Sequence, residues 1–522
     1  MQIPILIVGG GPAGVCAALA LARQSIDVRL IEQSPQASPG SRAKGVQPRT
    51  LEMFEALGVL DEVLASGGPF PRWRSYRAGK VAWEKSIYQL LGIGEPVPDP
   101  AVPYPQTWMI PQWRTEEILR RELSRRGVEV EYGSALTALD QDDDGVTATI
   151  HRAGDTERVR AAYVIAADGA ASAARKLLGV AFDGITRDAE RFVIADVRTA
   201  DLDRTYWHNW SDPADPAARV SICPLPATDM FQYVAPLLPG EPAPELTLAT
   251  VQRLFDERSE GVVARFSDSP WIILHRTNER LASRFRIGRV FLVGDAAHAI
   301  PAAGGQGMNT AVQDSHNLAW KLAAVLRGAP DDLLASYEEE RRPISARLLA
   351  VGNGTEENGE APDIFQLRNN YRDRSLSEDF RREPGRVRAG DRAPDAPLHL
   401  PEASRLFELI RQADLTVLTF GDDAAARSGI VAAGGARIRL VPVVALPRAP
   451  ELREVGGVAQ VNVDRDSPAT AEIVRAIYDV APGEEVAFLL RPDGYIGLVA
   501  DSQIGKRLEA YLSRIAASSI PH

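Results

Sequence analysis

Residues 3–14 of this chain read IPILIVGGGPAG and decide the fold. The apolar run Ile3 to Val8 predicts a short buried strand, and the Ala-rich stretch Ala13 to Ala22 predicts a helix that can lie close on a sheet. Between them, one glycine permits a tight turn, a second lets backbone approach a pyrophosphate, and a third permits close packing of the helix, whose N-terminal N–H groups favour phosphate. The turn therefore predicts a dinucleotide site, with contacts from Gly9, Gly11, Pro12, Ala13 and Gly14.

A second predicted strand, Val28 to Ile31, ends at Glu32 and is followed by Gln33. An acidic side chain at this position can accept both hydroxyls of an adenosine ribose and would repel a 2′-phosphate. A glycine-rich turn that binds nothing is the alternative, but it does not explain the second strand and its terminal acid. These features do not distinguish NAD from FAD.

Length, charge and cysteine content narrow the class of protein. A chain of 522 residues predicts about three domains. A net charge of −11 argues against nucleic-acid binding. Neither a signal-peptide pattern nor an apolar segment near the roughly 20 residues needed to span a bilayer is present, and Cys16 and Cys223 lack metal-ligand spacing. We therefore expect a cytoplasmic protein with no metal site and no nucleic-acid or membrane partner.

Two polar segments are further candidates for contacts to the dinucleotide. Arg42 and Lys44 can meet a pyrophosphate from the side opposite the helix, although a solvated loop is the alternative. Gln112 precedes a predicted helix that begins with Thr115 as its N-cap and is closed by Gly127. From the residues alone, Gln112 is equally well a contact or a polar loop residue.

Two acidic motifs also follow predicted strands. Antiparallel strands within 129–152 lead to the apolar strand 163–167, which ends at Asp168-Gly169, and the strand 289–294 delivers Asp295 in the same way. Carboxylates at the carboxyl ends of strands stand where open α/β sheets bind ligands. A plain β-turn is the alternative for Asp168-Gly169.

A glycine-rich approach to a long helix, predicted to begin near Met308, is an anion site. An isoalloxazine ring lying against this helix start would place its N1–C2=O edge at the positive end, which stabilises reduced flavin. The three motifs in this order therefore predict a bound flavin, with further contacts from Gly294, Asp295, Pro301, Gly304, Gly307, Met308 and Asn309. His298 is interpreted as structural because no nucleophile or second metal ligand accompanies it.

The order of these motifs resembles the single-component FAD-dependent aromatic hydroxylases, which include p-hydroxybenzoate hydroxylase, phenol hydroxylase, rifampicin monooxygenase and polyketide hydroxylases. The resemblance covers nearly the whole chain. It implies that the N-terminal glycines and Glu32 hold the adenosine half of FAD, that Asp168-Gly169 serves FAD and NAD(P)H, and that Asp295 binds the ribityl and pyrophosphate region. It implies NADPH or NADH as reductant and hydroxylation of an aromatic substrate by O2 through a flavin hydroperoxide.

The resemblance also implies the fold class, which is α/β with a Rossmann-like FAD-binding domain, an interleaved mainly-β substrate domain and a C-terminal thioredoxin-like domain. The implied ranges are 1–71, 111–182 and 286–350 for FAD binding, 72–110 and 183–285 for substrate, 351–387 for a linker and 388–522 for the tail. The tail lacks cysteine, so a thiol redox role is excluded. Docking, dimer contact or stabilisation stay open for it, as does the choice between monomer and homodimer.

Aromatic residues are numerous in the predicted substrate domain, and most are expected to be core, with a few able to stack on a substrate. No catalytic base is predicted. Two positions depart from the family pattern: Ala302 replaces a usual proline beside the flavin, and Ala171 replaces a usual arginine near Arg175. The choice between NADPH and NADH stays open. So do Baeyer–Villiger or epoxidation chemistry on a polycyclic ketone or quinone, an oxidase or dehydrogenase without oxygen transfer, and a noncatalytic flavin-binding protein.

Overall fold

The computed structural model describes residues 3–515 apart from 213–214, 239, 302–304, 353–362, 401–402, 411–414, 422–423, 433–437, 444–453, 456–457 and 461–467. The chain divides into two compact units. The first contains Met1–Val97, Gln106–Ser315 and Ser345–Phe365, and the second contains Pro98–Pro105, His316–Ile344 and Gln366–His522. Across the described ranges, no helix combines the length and apolar character that a bilayer crossing requires.

The central sheet of the first unit is mainly parallel. Its strands, in spatial order, are Val130–Tyr132, Val28–Glu32, Ile3–Val8, Asp155–Ala166, Val290–Leu292 and Arg286–Ile287, of which the last is antiparallel to its neighbour. The strands Gly145–Arg152 and Ser134–Asp142 extend from Asp155–Ala166 as the predicted antiparallel pair. The inner strands are continuous apolar runs because both faces of a parallel sheet are buried.

The predicted motifs lie at one edge of this sheet. Four neighbouring parallel strands end there. One strand ends in the predicted contact Glu32, and the other three are followed within two residues by Gly9, Asp168 and Gly294. The strand ends predicted from the sequence therefore lie together at one edge of a parallel sheet.

Helices flank this sheet, and the helix Pro12–Ala22 packs against the helix Gln112–Ser124. The prediction that Thr115 caps the second of these helices is wrong, because the helix begins three residues earlier with Pro111 at the N-cap. Thr115 is a buried helical residue whose hydroxyl donates to the Pro111 carbonyl at 3.4 Å. The other helices of this unit are Pro48–Leu57, Leu60–Ala65, Ile87–Leu90, Ala173–Leu177 and Leu248–Arg258.

A second, eight-stranded sheet belongs to the same unit. Its strands, in spatial order, are His298–Ala299, Asp268–Ala282, Phe182–Arg198, Met230–Pro236, Asp215–Pro224, Tyr206–Asp212, Arg72–Arg77 and Lys80–Lys85. The helix Leu248–Arg258 covers a core that includes Trp210, Phe231 and Tyr233, so these aromatics are structural, as expected. A short ladder joins Gly45–Val46, Trp108–Met109 and Gly68–Pro69.

The second unit is built on a seven-stranded mixed sheet. Its strands, in spatial order, are Glu378–Asp379, Ile496–Ala500, Val486–Leu490, Leu415–Phe420, Ile438–Val443, Val458–Gln460 and Glu454–Val455. The strands Val486–Leu490 and Ile496–Ala500 form a hairpin around Pro492–Gly494, as the sequence pattern of that segment predicts. The apolar segment 458–463 predicts a strand, of which residues 461–463 lie outside the described residues. The short pair Pro397–Leu400 and Ala403–Arg405 accompanies the helices Leu406–Ile410, Ala424–Ala432, Pro468–Tyr478 and Ile504–Ile515. The helices Gln306–Leu326 and Ala335–Gly352 contain the points where the chain passes between units.

A fully buried ionic cluster lies inside the second unit. The Glu340 carboxylate accepts hydrogen bonds from Arg491 at 2.6 and 2.9 Å and from Lys321 at 2.7 Å, and Asp493 accepts from Arg491 at 2.5 and 3.0 Å. Burial lowers the pKa of Lys321 to about 8. Burial acts to raise the pKa of Glu340, but Arg491 and Lys321 outweigh it and hold that pKa below its usual range. The Glu340 carboxylate therefore pairs with both buried cations and offsets the cost of burying them.

Candidate active site

A cavity of about 440 Å³ lies in the first unit, and its lining includes residues from the predicted motifs. The predicted contacts that line it are Gly11, Pro12, Ala13, Arg42, Lys44, Gln112, Gly169, Asp295, Gly307 and Met308. Gly9, Gly14, Glu32, Gln33, Asp168, Gly294, Pro301 and Asn309 are not among its lining residues. Gly304 and the family departure at Ala302 lie outside the described residues.

The three glycines of the first turn are required for different physical reasons. A Cβ at Gly9, where φ is +111°, would stand 2.3 Å from the Ala167 carbonyl oxygen. A Cβ at Gly14 would stand 1.9 Å from the Gly9 carbonyl oxygen. A Cβ at Gly11 would meet no atom within 4 Å, because this residue faces the cavity. Gly9 and Gly14 are thus needed for the fold, whereas Gly11 keeps space for a ligand.

Glu32 stands beside the turn with its carboxylate held by backbone. Its two oxygens accept hydrogen bonds from the N–H groups of Gly10 at 2.7 Å and Ser34 at 2.8 Å. Each carboxylate oxygen has a second lone pair, so the orientation is fixed while capacity for ribose hydroxyls is retained. Gln33, the next residue, is exposed.

The second motif is tied to the third by a buried arginine. Asp168 accepts the N–H of Ala174 at 3.0 Å through Oδ2, while its buried Oδ1 has no hydrogen-bond partner among the described residues. Arg175 donates to the carbonyls of Ala170 at 2.7 Å and Ala296 at 2.9 Å. Arg175 therefore positions both motifs, and the exposed Ala171 has no part in this link.

The third motif rests on a buried histidine–carboxylate pair. His298 Nε2 lies 2.6 Å from Asp314 Oδ2, and the same oxygen accepts the Gly294 N–H at 3.2 Å. Both side chains are fully buried. This arrangement fixes the turn that presents Asp295 to the cavity and agrees with the interpretation of His298 as structural.

The start of the helix Gln306–Leu326 is locked by Asn309. Its side-chain amide donates to the carbonyls of Gly45 at 2.9 Å and Gly305 at 2.6 Å, and its oxygen accepts the Gln47 N–H at 2.9 Å. The Asn309 side chain is therefore occupied by backbone, and Gly307 and Met308 are the helix-start residues that line the cavity.

Gln112 also lines the cavity and positions a neighbouring loop. Its oxygen accepts the Ala43 N–H at 3.0 Å, and its amide donates to Glu116 at 2.8 Å. Burial raises the pKa of Glu116, which Gln112 and Arg120 partly offset. The loop that carries Arg42 and Lys44 is therefore held against the helix Gln112–Ser124.

Aromatic and aliphatic side chains form another part of the cavity wall. The ring centroids of Trp73 and Trp207 are 4.2 Å apart, and those of Phe70 and Trp207 are 6.1 Å apart. Ile87, Leu91, Ile300 and Ile364 also line the cavity. Lys44 contacts this wall, because its ammonium bonds to Gln232 and lies 4.1 Å from the Trp207 ring centroid.

Trp73 and Trp207 belong to the aromatic residues of the predicted substrate domain, whose sequence pattern does not separate core residues from substrate contacts. Their proximity depends on the parallel pairing of Trp207 with Trp73, which joins strands far apart in the chain. Phe70, His275 and Ile364 were missed because no local pattern marks them. Burial lowers the pKa of His275, Arg42 lowers it further, and Asp295 opposes the change.

Two family models match this chain. The FAD binding domain model matches residues 2–351, and the model for the aromatic-ring hydroxylase C-terminal domain matches residues 386–518. The chain belongs to the FAD-dependent aromatic-ring hydroxylases. This hydroxylase is an FAD-dependent monooxygenase, as the resemblance of its motifs implied.

Relatives of the hydroxylase span almost its whole length. A flavin-dependent monooxygenase from Mycobacteroides abscessus is 39% identical over 98% of this chain and 99% of its own. Pentachlorophenol 4-monooxygenase from Sphingobium chlorophenolicum is 30% identical over 98% and 97%.

Solved structures agree with this assignment. A flavin-dependent monooxygenase in complex with FAD and substrate has a TM-score of 0.80 at 25% identity, over 99% of both chains. Aklavinone-11 hydroxylase with FAD and aklavinone has a TM-score of 0.76 at 26% identity, over 98% of this chain and 99% of that one.

The residues present fit FAD. The side of Gly11 that faces the cavity leaves room for a pyrophosphate next to a helix N-terminus, and Asp168 has an unsatisfied buried oxygen beside the cavity-lining Gly169. Glu32 retains acceptor capacity at the end of its strand. Gly11, Gly169 and Asp295 line one cavity together with an apolar wall suited to a ring.

The buried carboxyl group of Asp196 should make the stability of the protein depend on pH. Burial raises its pKa to about 6, while Ser41 and the charge of Lys44 lower it less. The carboxyl group has a pKa of 3.8 in the unfolded state, so the folded state binds this proton more tightly. The free energy of unfolding should therefore fall by up to about 3 kcal/mol as pH rises from about 4 to about 6. We expect Asp196→Asn to remove this part of the decline, measured by urea unfolding at pH 4 and pH 7. Asp229→Asn, at an exposed position, is the control, and an unchanged decline in Asp196→Asn would show that Asp196 is not its source.

Proposed function

We propose that this hydroxylase uses NAD(P)H and O2 to hydroxylate a phenol, either a single ring or a phenolic ring of a polycyclic compound. The observation that carries the proposal is the single cavity in which the glycine turn and Asp295 are joined to the wall of Phe70, Trp73 and Trp207. One relative is named for pentachlorophenol, which is a phenol. Another, aklavinone-11 hydroxylase, has been solved with FAD and aklavinone bound. These names support an aromatic substrate.

When bound, FAD would supply the redox and oxygen-transfer chemistry. The chain's own residues bind and orient. Gly11 and the helix start that follows it take the pyrophosphate, Glu32 takes the ribose, and Asp295 with the backbone of Gly307 and Met308 takes the remainder of the flavin nucleotide. The predicted domain ranges and the other predicted contacts, including Gln33 and Pro301, remain part of this proposal.

The aromatic wall excludes water and positions the ring. Phe70, Trp73 and Trp207 are half-buried, so each presents part of its ring to the cavity. Stacked or tilted aromatic contacts orient a planar substrate, and a dry pocket prevents loss of the activated oxygen to solvent.

Two measurements on the purified protein test this function. Anaerobic NADPH or NADH should bleach the absorbance of bound flavin, and in air its oxidation should accelerate with a phenol and yield a product heavier by one oxygen. NMR of that product should show a new ring hydroxyl. Flavin that neither nucleotide reduces, or an oxygen inserted beside a carbonyl instead of on the ring, would contradict the proposal.

Phe70 is expected to affect substrate and not FAD. Phe70→Ala removes one aromatic contact worth about 0.5–1.5 kcal/mol beyond its area, so the KM for the phenol should rise by up to about tenfold. The affinity for FAD should stay within about twofold. Phe380→Ala, at a 40% exposed residue of the second unit, is the matched control. Equal KM values in the two variants would show that Phe70 does not contact the substrate.

A further inference from the structure

Gln47 is a buried polar residue in the wall of the cavity, and its side chain does not serve the helix that follows it. It is the N-cap residue of the helix Pro48–Leu57, a position where a short polar side chain usually accepts a backbone N–H. This helix has no hydrogen bond from its N-cap side chain, and the Gln47 carbonyl accepts the N–H groups of Thr50 and Leu51. The side-chain amide therefore makes its contacts elsewhere.

Thr107 orients this amide. The short ladder pairs Val46 with Trp108, so the antiparallel register places the next residues, Gln47 and Thr107, opposite each other. The Thr107 hydroxyl donates to Gln47 Oε1 at 2.8 Å, and both residues are buried and line the cavity. Thr107 is held in turn, because its N–H donates to the Tyr88 hydroxyl at 3.3 Å.

With its oxygen bonded to Thr107, the Gln47 amide places its nitrogen beside the glycine-rich approach to the helix Gln306–Leu326. Nε2 lies 3.9 Å from the position that a Cβ would take on Gly305, which lines the same cavity. The Gln47 backbone N–H donates to Asn309 Oδ1 at 2.9 Å and so fixes the residue to this helix start. An amide nitrogen carries two N–H donors, which here add to the positive end of the helix.

We propose that Gln47 is a further flavin-binding residue, whose amide N–H groups donate to the N1–C2=O edge of the isoalloxazine ring and stabilise its reduced form. Uptake of two electrons and one proton by the ring leaves a negative charge at this edge, and a hydrogen bond to a charged group is stronger than one to a neutral group. Thr107 is a positioning residue, because its hydroxyl determines which end of the Gln47 amide faces the ring. This inference rests on the part of the proposed function that places FAD in this cavity.

The midpoint potential of bound FAD tests the role of Gln47. It is measured on the holoenzyme without substrate or NAD(P)H, by anaerobic reduction with xanthine and xanthine oxidase beside a reference dye. Gln47→Met keeps the approximate volume but removes the N–H donors, so the affinity for reduced FAD relative to oxidised FAD should fall by about tenfold. For two electrons this change corresponds to a potential lower by about 30 mV. The affinity of the deflavinated protein for oxidised FAD should change by less than about threefold.

Thr107→Val and Thr107→Ser separate the orientation of the amide from its packing. Valine has a shape similar to threonine but leaves Gln47 Oε1 without its donor, so the potential should fall in the same direction as in Gln47→Met. Serine keeps the hydroxyl and should retain most of the wild-type potential. Thr416→Val, at a buried threonine of the second unit, is the matched control and should leave the potential unchanged.

The proposal is overturned if Gln47→Met changes the ratio of the two FAD affinities by less than about twofold, or if Thr107→Ser lowers the potential as much as Thr107→Val does. A loss of thermal stability in Gln47→Met with an unchanged potential would likewise show that the amide only supports the fold. A protein whose potentials follow the expected order but which hydroxylates no phenol would support this inference and contradict the proposed function.

Discussion

Replacing Gly11 by valine is expected to weaken FAD binding by about 100-fold and to leave the apoprotein folded. The new side chain would meet no protein atom at its Cβ, because it would project into the cavity where we place the pyrophosphate. Overpacking typically costs about 1–3 kcal/mol, and here the whole cost falls on the complex with the nucleotide. The measurement is a titration of deflavinated protein with FAD, read by flavin fluorescence, together with thermal unfolding of the apoprotein.

Two other glycines provide the controls. Gly94→Val also meets no atom within 4 Å but lies outside the cavity lining, so its affinity for FAD should match wild type. Gly14→Ala should instead lose the fold, because its Cβ would stand 1.9 Å from a backbone oxygen. Unchanged FAD affinity in Gly11→Val would show that the pyrophosphate lies elsewhere.

Glu340→Gln is expected to destabilise the second unit by about 3–5 kcal/mol, because it leaves Arg491 and Lys321 buried with a single remaining carboxylate, Asp493. The urea midpoint of the unfolding transition, followed by circular dichroism, measures this loss. Glu339→Gln on the same helix is the control, because among the described residues the Glu339 carboxylate accepts hydrogen bonds from Ser375 at an exposed site. This substitution should cost less than about 1 kcal/mol.

The same substitution should change the response to acid. The folded-state pKa of Glu340 is depressed, so its contribution is present above the ordinary value of 4.5 and is lost as pH falls below it. Wild type should therefore lose stability more steeply than Glu340→Gln on acidification from pH 5. Equal slopes, or equal midpoints at pH 7, would show that the cluster is not a source of stability.

The sequence predicted those parts of the fold that depend on short-range patterns. Apolar runs followed by a glycine or an acidic residue predict where four strands end. The parallel pairing of these strands brings Gly9, Glu32, Asp168 and Gly294 to one edge of the sheet. A helix boundary was missed where a proline supplied the N-cap position in place of Thr115. Both Pro111 and Thr115 can precede the first turn of a helix, so the position at which this helix begins depends on packing.

Other features depend on contacts between distant segments and were not predictable. One such contact is the bond from Lys44 to Gln232, which lies 188 residues away in sequence. The approach of Lys44 to a pyrophosphate stays a prediction. The pairing of Trp73 with Trp207 and of Glu340 with Arg491 likewise requires the folded sheets. In each case the residue type was informative, but its partner was not visible in the sequence.

The origin of the oxygen atom in the product distinguishes a monooxygenase from an oxidase. It is measured by turnover of a phenol that stimulates NAD(P)H oxidation, carried out under 18O2 in ordinary water, with mass spectrometry and NMR of the product. We expect one 18O atom, carried by a new ring hydroxyl. A product without 18O, or NAD(P)H oxidation that yields only hydrogen peroxide with every phenol tested, would contradict it.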